Sequence, residues 1–172
     1  MATSKRRSAL RRRAEDPLDA RAARVAALGA LARSDHSAGD LQRKLLEKGY
    51  DAGVIAPLLD ALRAEKLLDE RRFTENFVMY HAARGHGPVR VRADLFRHGV
   101  EVTLVEECIG AYADWIAQLR KARTKKFGAP LPGSHTDRQR QARFLNYRGF
   151  TSAQIRTALG FDTDLDVNAE ET

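Results

Sequence analysis

Apolar residues recur at helical spacing along most of the chain. Leu41, Leu45 and Leu46 share one face, and Val54, Ile55, Leu58, Leu59 and Leu62 share the face of the next stretch. Gly49 between them suits the left-handed residue that ends a helix, Tyr50 is placed to cover that end, and Asp51 is the expected cap of the following helix. Ser37 with Asp40 predicts a cap for the first helix, and Pro88 fits the first turn of its counterpart further on. A third kind of amphipathic stretch alternates with these pairs. It presents Leu18, Ala22, Val25, Leu28 and Ala32 over residues 18–33, Phe73, Phe77 and Tyr80 over 69–84, and Trp115, Ile116, Leu119 and Phe127 over 114–127. No alternating β-branched run is bounded by hairpin turns, so the predicted fold is all-α.

The pattern repeats. Gly49, Gly99 and Gly149 stand fifty residues apart, each preceded at four residues by Leu45, Leu95 or Leu145 and followed at once by Tyr50, Val100 or Phe150. Six residues beyond each glycine come Ile55, Val105 and Ile155, and ten beyond come Leu59, Ile109 and Leu159. Several matched positions in three copies predict tandem three-helix repeats in an elongated array. The expected boundaries are a disordered basic arm at 1–14, repeats at 15–66, 67–113 and 114–160, and a disordered acidic tail at 161–172. The connection from Gly128 to Asp137, with Pro130, Pro132 and Gly133, is the best hinge candidate.

Charge sharpens this picture. The chain of 172 residues has a formal net charge of +7, with 43% hydrophobic and 31% charged residues, as expected of a soluble helical protein. Lys5, Arg6, Arg7, Arg11, Arg12 and Arg13 make the arm purely basic, whereas Asp162, Asp164, Asp166, Glu170 and Glu171 make the tail purely acidic. The basic body points to a polyanionic partner, which the acidic tail is placed to moderate. No apolar run is long enough to span a bilayer, no signal-peptide pattern is present, and Cys108 is the sole cysteine. These features predict a cytoplasmic monomer with no membrane partner.

Residues 146–155, NYRGFTSAQI, resemble a DNA-reading helix-turn-helix as well as a repeat corner. Acidic residues lead the equivalent second helices (Asp51 and Glu101), however, and would meet phosphate repulsion; only the third copy, with Thr151, Ser152, Gln154 and Arg156, is suited to bases. The three glycines are therefore read as structural turns. Positive charge gathers instead on the first helix of each pair and ahead of the hinge. The candidate partner-binding residues are Arg90, Arg92, Arg97, Arg120, Lys121, Arg138, Arg140, Arg143, Tyr147 and Arg148, which would meet acidic protein or nucleic-acid phosphate. Arg123, Lys125 and Lys126 belong to the same basic run as Arg120, and Tyr147 is suited either to stacking on a base or to packing at the helix end. Arg97 and Arg148 are equally suited to bonding carbonyls at helix ends. Phe73, Phe77, Trp115 and Phe150 are expected in the core. His36, His81, His86, His98 and His135 show no metal-ligand spacing, and no cofactor is expected. Gly85-His86-Gly87-Pro88 before a helix suits a turn better than an anion site. A non-enzymatic protein is the expectation.

Three segments, LLDERRFTENFV at 67–78, GHGPVRVRADLFRHGV at 85–100 and ARFLNYRGFTSAQI at 142–155, together resemble the RecX family of regulators of the RecA recombinase. The resemblance extends over about residues 33–160 and leaves out both charged tails. It implies a protein that binds the RecA filament on single-stranded DNA and inhibits ATP hydrolysis and strand exchange, so modulating recombinational repair and the SOS response. It also implies direct contact with single-stranded or duplex DNA in some members. The alternative function is autonomous DNA binding by a basic helical protein with no recombinase partner.

Overall fold

The computed structural model describes residues 13–160, so the expectations for the acidic tail and for the arm up to residue 12 lie outside the described residues. Nine helices and no strands occur among the described residues, and the chain divides into two compact units after Glu70.

The first unit contains α1 (Ala20–Leu31), α2 (Ala38–Glu47) and α3 (Ala52–Ala64). Its core holds Leu41, Leu45, Ile55, Leu59 and Leu62, each 5% exposed or less. Ser37 accepts the Asp40 amide at 3.0 Å, and Asp51 accepts the Gly53 amide at 2.8 Å, so both predicted caps form. The face expected of the first helix is corrected: α1 buries Ala23, Ala27 and Ala30, whereas Leu18 and Val25 are 67% and 66% exposed. Small side chains let α1 approach both α2 and α3 closely, and the larger residues are left on the outside. Arg13 and Ala14, assigned by composition to the arm, lie against the first corner. The Ala14 amide donates to the Lys48 carbonyl at 2.7 Å, and the Arg13 side chain lies over Gly49.

The second unit continues α4 (Glu70–Ala83) through α5 (Pro88–Arg97), α6 (Val102–Ala111), α7 (Trp115–Phe127), α8 (His135–Tyr147) and α9 (Ser152–Leu159). One core serves the second and third repeats, joining Phe73, Val78, Leu95 and Val105 to Leu119, Leu145, Phe150 and Ile155. Tyr80, expected on the core face of α4, is 57% exposed; Thr74, Val78 and Ala82 take the buried positions beside Phe73. Ile116 and Phe127 of α7 are half-buried, and the buried positions there are Trp115, Leu119 and Arg123.

All three corners close in the same way. The amides of Tyr50, Val100 and Phe150 reach back to Leu45, Leu95 and Leu145, at 3.2, 3.2 and 3.1 Å. The intervening glycine amides bond Leu46, Phe96 and Asn146, with Gly49, Gly99 and Gly149 at φ 92°, 75° and 87°. This double bond satisfies carbonyls that a helix otherwise leaves open, and only glycine takes that conformation without a steric cost.

Candidate partner interface

Thr151 and Gln154 are committed to the capping box that starts α9: Oγ1 accepts the Gln154 amide at 3.2 Å while Oε1 accepts the Thr151 amide at 2.9 Å. Gln154 is thus occupied where a base-reading helix would need it free. The amides at the start of α5 are occupied as well. Gly87 donates to the Arg148 carbonyl at 2.8 Å and Val89 to the Gly149 carbonyl at 3.0 Å, so the Gly85–Pro88 turn docks on the third corner.

The predicted binding residues separate into two sets. Arg92 makes two bonds to Glu106, at 2.5 and 2.8 Å, which clamp α5 to α6 and hold the Glu106 carboxyl below its usual range. Arg97 pairs with Asp94, as does Arg90 at 3.8 Å, and Arg140 pairs with Asp137 at 3.0 Å while its guanidinium lies 5.6 Å from the Phe127 ring centre. Arg148 stacks on Phe144 at 5.2 Å and donates to the Arg84 carbonyl at 3.4 Å, the helix-end bond foreseen as one of its two roles. Arg90, Arg97 and Arg140 are thus paired within their own helices, Arg92 ties two helices of one repeat, and Arg148 alone of this set reaches to another repeat.

The second set is uncompensated. Arg120, Lys121, Arg138 and Arg143, together with Lys125 and Lys126, make no ion pair among the described residues. Tyr147, at 82% exposure, stands one turn beyond Arg143. These six cations lie on α7 and α8 of the third repeat.

Arg123 departs from the run that contains it. It is 4% exposed, and its guanidinium donates to the carbonyls of Gly128, Ala129 and Pro130 at 3.0, 2.7 and 2.9 Å and to Gln141 Oε1 at 3.3 Å. The hinge candidate is therefore tied to α7 at its start. The clue in the sequence is position: Arg123 follows Trp115 and Leu119 at spacings of four, on the buried stripe.

Histidines missed as a group come together around α4. His81 and His86 approach at 3.1 Å between Nδ1 atoms, and Phe77 stacks on His81 at 4.0 Å. Burial, with Arg90 close by, depresses His86 to about 4. Among the described residues no three His, Cys, Asp or Glu side chains are grouped to hold a metal ion. Burial pushes the Cys108 thiol up, which suits a packing residue.

Three-helix units, each with a glycine corner between its second and third helices, define an all-α tandem-repeat protein. The chain matches three family profiles: the first three-helix domain of RecX at residues 23–62, the second at 69–109 and the third at 113–159. It is 45% identical to the regulatory protein RecX of Halorhodospira halophila over 138 residues, which cover 80% of this chain and 86% of the relative. Against the regulatory protein RecX of Acidithiobacillus ferrooxidans, identity is 40% over 84% of this chain and 93% of that one. The crystal structure of RecX from Lactobacillus salivarius superposes with a TM-score of 0.71, at 17% identity, over 83% of this chain and 95% of that chain. The chain belongs to the RecX family of regulatory proteins.

Proposed function

We propose that this chain is a non-enzymatic modulator that binds the RecA filament on single-stranded DNA and restrains ATP turnover and strand exchange. Membership of the RecX family supports the regulatory role. The observation that carries the contact surface is the uncompensated charge of the third repeat, where Arg120, Lys121, Arg138 and Arg143 have no acidic partner among the described residues. Cations already satisfied by their own fold, such as Arg92, add less to a partner because an existing bond must be broken. A filament offers both acidic protein and phosphate, and forked arginine bonds suit either.

The test is the rate of RecA ATP hydrolysis on single-stranded DNA with increasing amounts of this protein. Suppression at or below equimolar protein is expected; an unchanged rate at saturation removes the reading. Tyr147, exposed beside Arg143, favours one second reading, direct binding of a bare strand. That reading predicts recombinase-independent affinity that falls steeply with salt, since each neutralised phosphate releases about one counterion.

A further inference from the structure

Gln118, Lys121, Ala122 and Lys125 fall at i, i+3, i+4 and i+7 and form one stripe of α7. The stripe faces the end of α4 at Arg84 and Gly85, and Phe144 and Arg148 on α8. Together they line a cleft of about 280 Å³. A methyl group on Gly85 would come within 2.9 Å of the Ala122 Cβ, so glycine lets two walls of the cleft meet. Arg84, Lys121, Lys125, Lys126 and Arg148 bring five cations to the lining, and no carboxylate lies there.

The two arginines are positioned without being neutralised. Arg84 donates to the Tyr80 hydroxyl at 2.6 Å with its guanidinium 5.2 Å from that ring centre, and Arg148 is held on Phe144. Aromatic faces and neutral oxygens fix their planes but leave the charge available to an anion. A second, independent feature points to a ligand. Gln118 Oε1 is buried and has no hydrogen-bond partner, which is uncommon because an unsatisfied buried amide is costly. Rotation of the amide presents its NH₂ group, a donor, to an oxyanion at the same place.

We propose that this cleft is a phosphate-binding site that takes the phosphate group of a nucleotide unit. Several cations around one opening suit an anion carrying more than one charge and several acceptor oxygens, while Phe144 supplies an apolar wall for the attached organic group. The site belongs to the isolated chain, so it goes beyond the recombinase reading and stands or falls without a filament.

Calorimetric titration of the full chain at low salt with inorganic pyrophosphate, ADP and an eight-residue thymidine oligonucleotide tests it. At least one probe is expected to bind at a single saturable site. Lys125→Gln with Lys126→Gln should weaken that binding tenfold or more at an unchanged melting temperature, whereas Arg21→Gln with Arg33→Gln, exposed on the first unit and outside the cleft, should change it less than twofold. Gln118→Leu should weaken binding without lowering the melting temperature, since it removes an unsatisfied oxygen. Binding of pyrophosphate or ADP assigns the site to a free nucleotide, and binding of the oligonucleotide alone assigns it to a unit of a strand. The proposal is overturned if no probe binds, if binding survives the double lysine change, or if an oligo-aspartate peptide binds as tightly as the best probe. Because no recombinase is present, failure here leaves the ATPase result untouched, and the reverse also holds.

Discussion

The Gly87 amide donates to the Arg148 carbonyl at 2.8 Å, and the approach is so close that a methyl on Gly87 would lie 2.3 Å from the carbonyl carbon and oxygen of Gly149. This contact locks the turn before α5 to the end of α8. Gly87→Ala is therefore expected to cost on the order of 3 kcal/mol through steric displacement, although its own φ of −85° suits any residue. Gly29→Ala in α1, where an added methyl meets nothing within 4 Å, is expected to stabilise by about 0.5–1 kcal/mol. Thermal melts of the two variants should move in opposite directions, and a stable Gly87→Ala would show that the turn is not locked.

Arg123 is the one arginine of its run whose loss should threaten the fold. Arg123→Met keeps the apolar stem but strands the carbonyls that gather on the guanidinium, at an expected cost of about 3 kcal/mol. The segment from Gly128 to Ser134 should then become a preferred site of limited proteolysis. Arg120→Met, exposed and with no ion pair among the described residues, is the control and should melt within about 2 °C of the parent.

The corners were legible because they rest on local rules. Leu45, Gly49 and Tyr50 encode a helix end that needs no knowledge of distant partners, and the period of fifty repeats that code. The buried face of α1 was less legible, since Ala23, Ala27 and Ala30 are as periodic as Val25 and Leu28 but weaker in hydrophobicity. Arg123 and the His81–His86 pair depend on what the chain brings from elsewhere. The charge run alone does not say which member turns inward, and only the register of Arg123 with Trp115 and Leu119 marks it; two histidines five residues apart meet only because a glycine turn lies between them. The same limit applies to the binding candidates: spacing identified basic helices, but only geometry separates Arg92, clamped to Glu106, from Arg143, which makes no ion pair among the described residues.

That separation predicts different phenotypes. Arg138→Glu with Arg143→Glu removes no ion pair among the described residues, so the melting temperature should shift by no more than about 2 °C. Under the filament reading, several-fold more of this variant should be needed to reach half-suppression of recombinase ATP hydrolysis. Arg92→Ala breaks a partly exposed clamp and should cost less than about 1 kcal/mol, with little change in suppression. If Arg92→Ala were the more damaging change to suppression, the contact surface would have to be moved to α5 and α6.

Acid should loosen the second unit through His86. Its ring is held against His81 and faces Arg84, Arg90 and Arg148, and desolvation leads the causes that lower it from 6.5 to about 4. Above pH 6.5 the folded and unfolded chains both carry a neutral imidazole, and the full stability is present. As pH falls from 6.5 towards 4, the unfolded chain takes up a proton that the folded chain refuses, so stability is lost across that window and the loss levels off below it. His81, lowered by burial and by Arg84, acts in the same direction. Melting curves of the parent and of His86→Gln, compared between pH 6.5 and 5 before most carboxylates titrate, isolate the effect. The parent should lose more melting temperature than the variant over that interval, and parallel curves would show that His86 is not the acid-sensitive group.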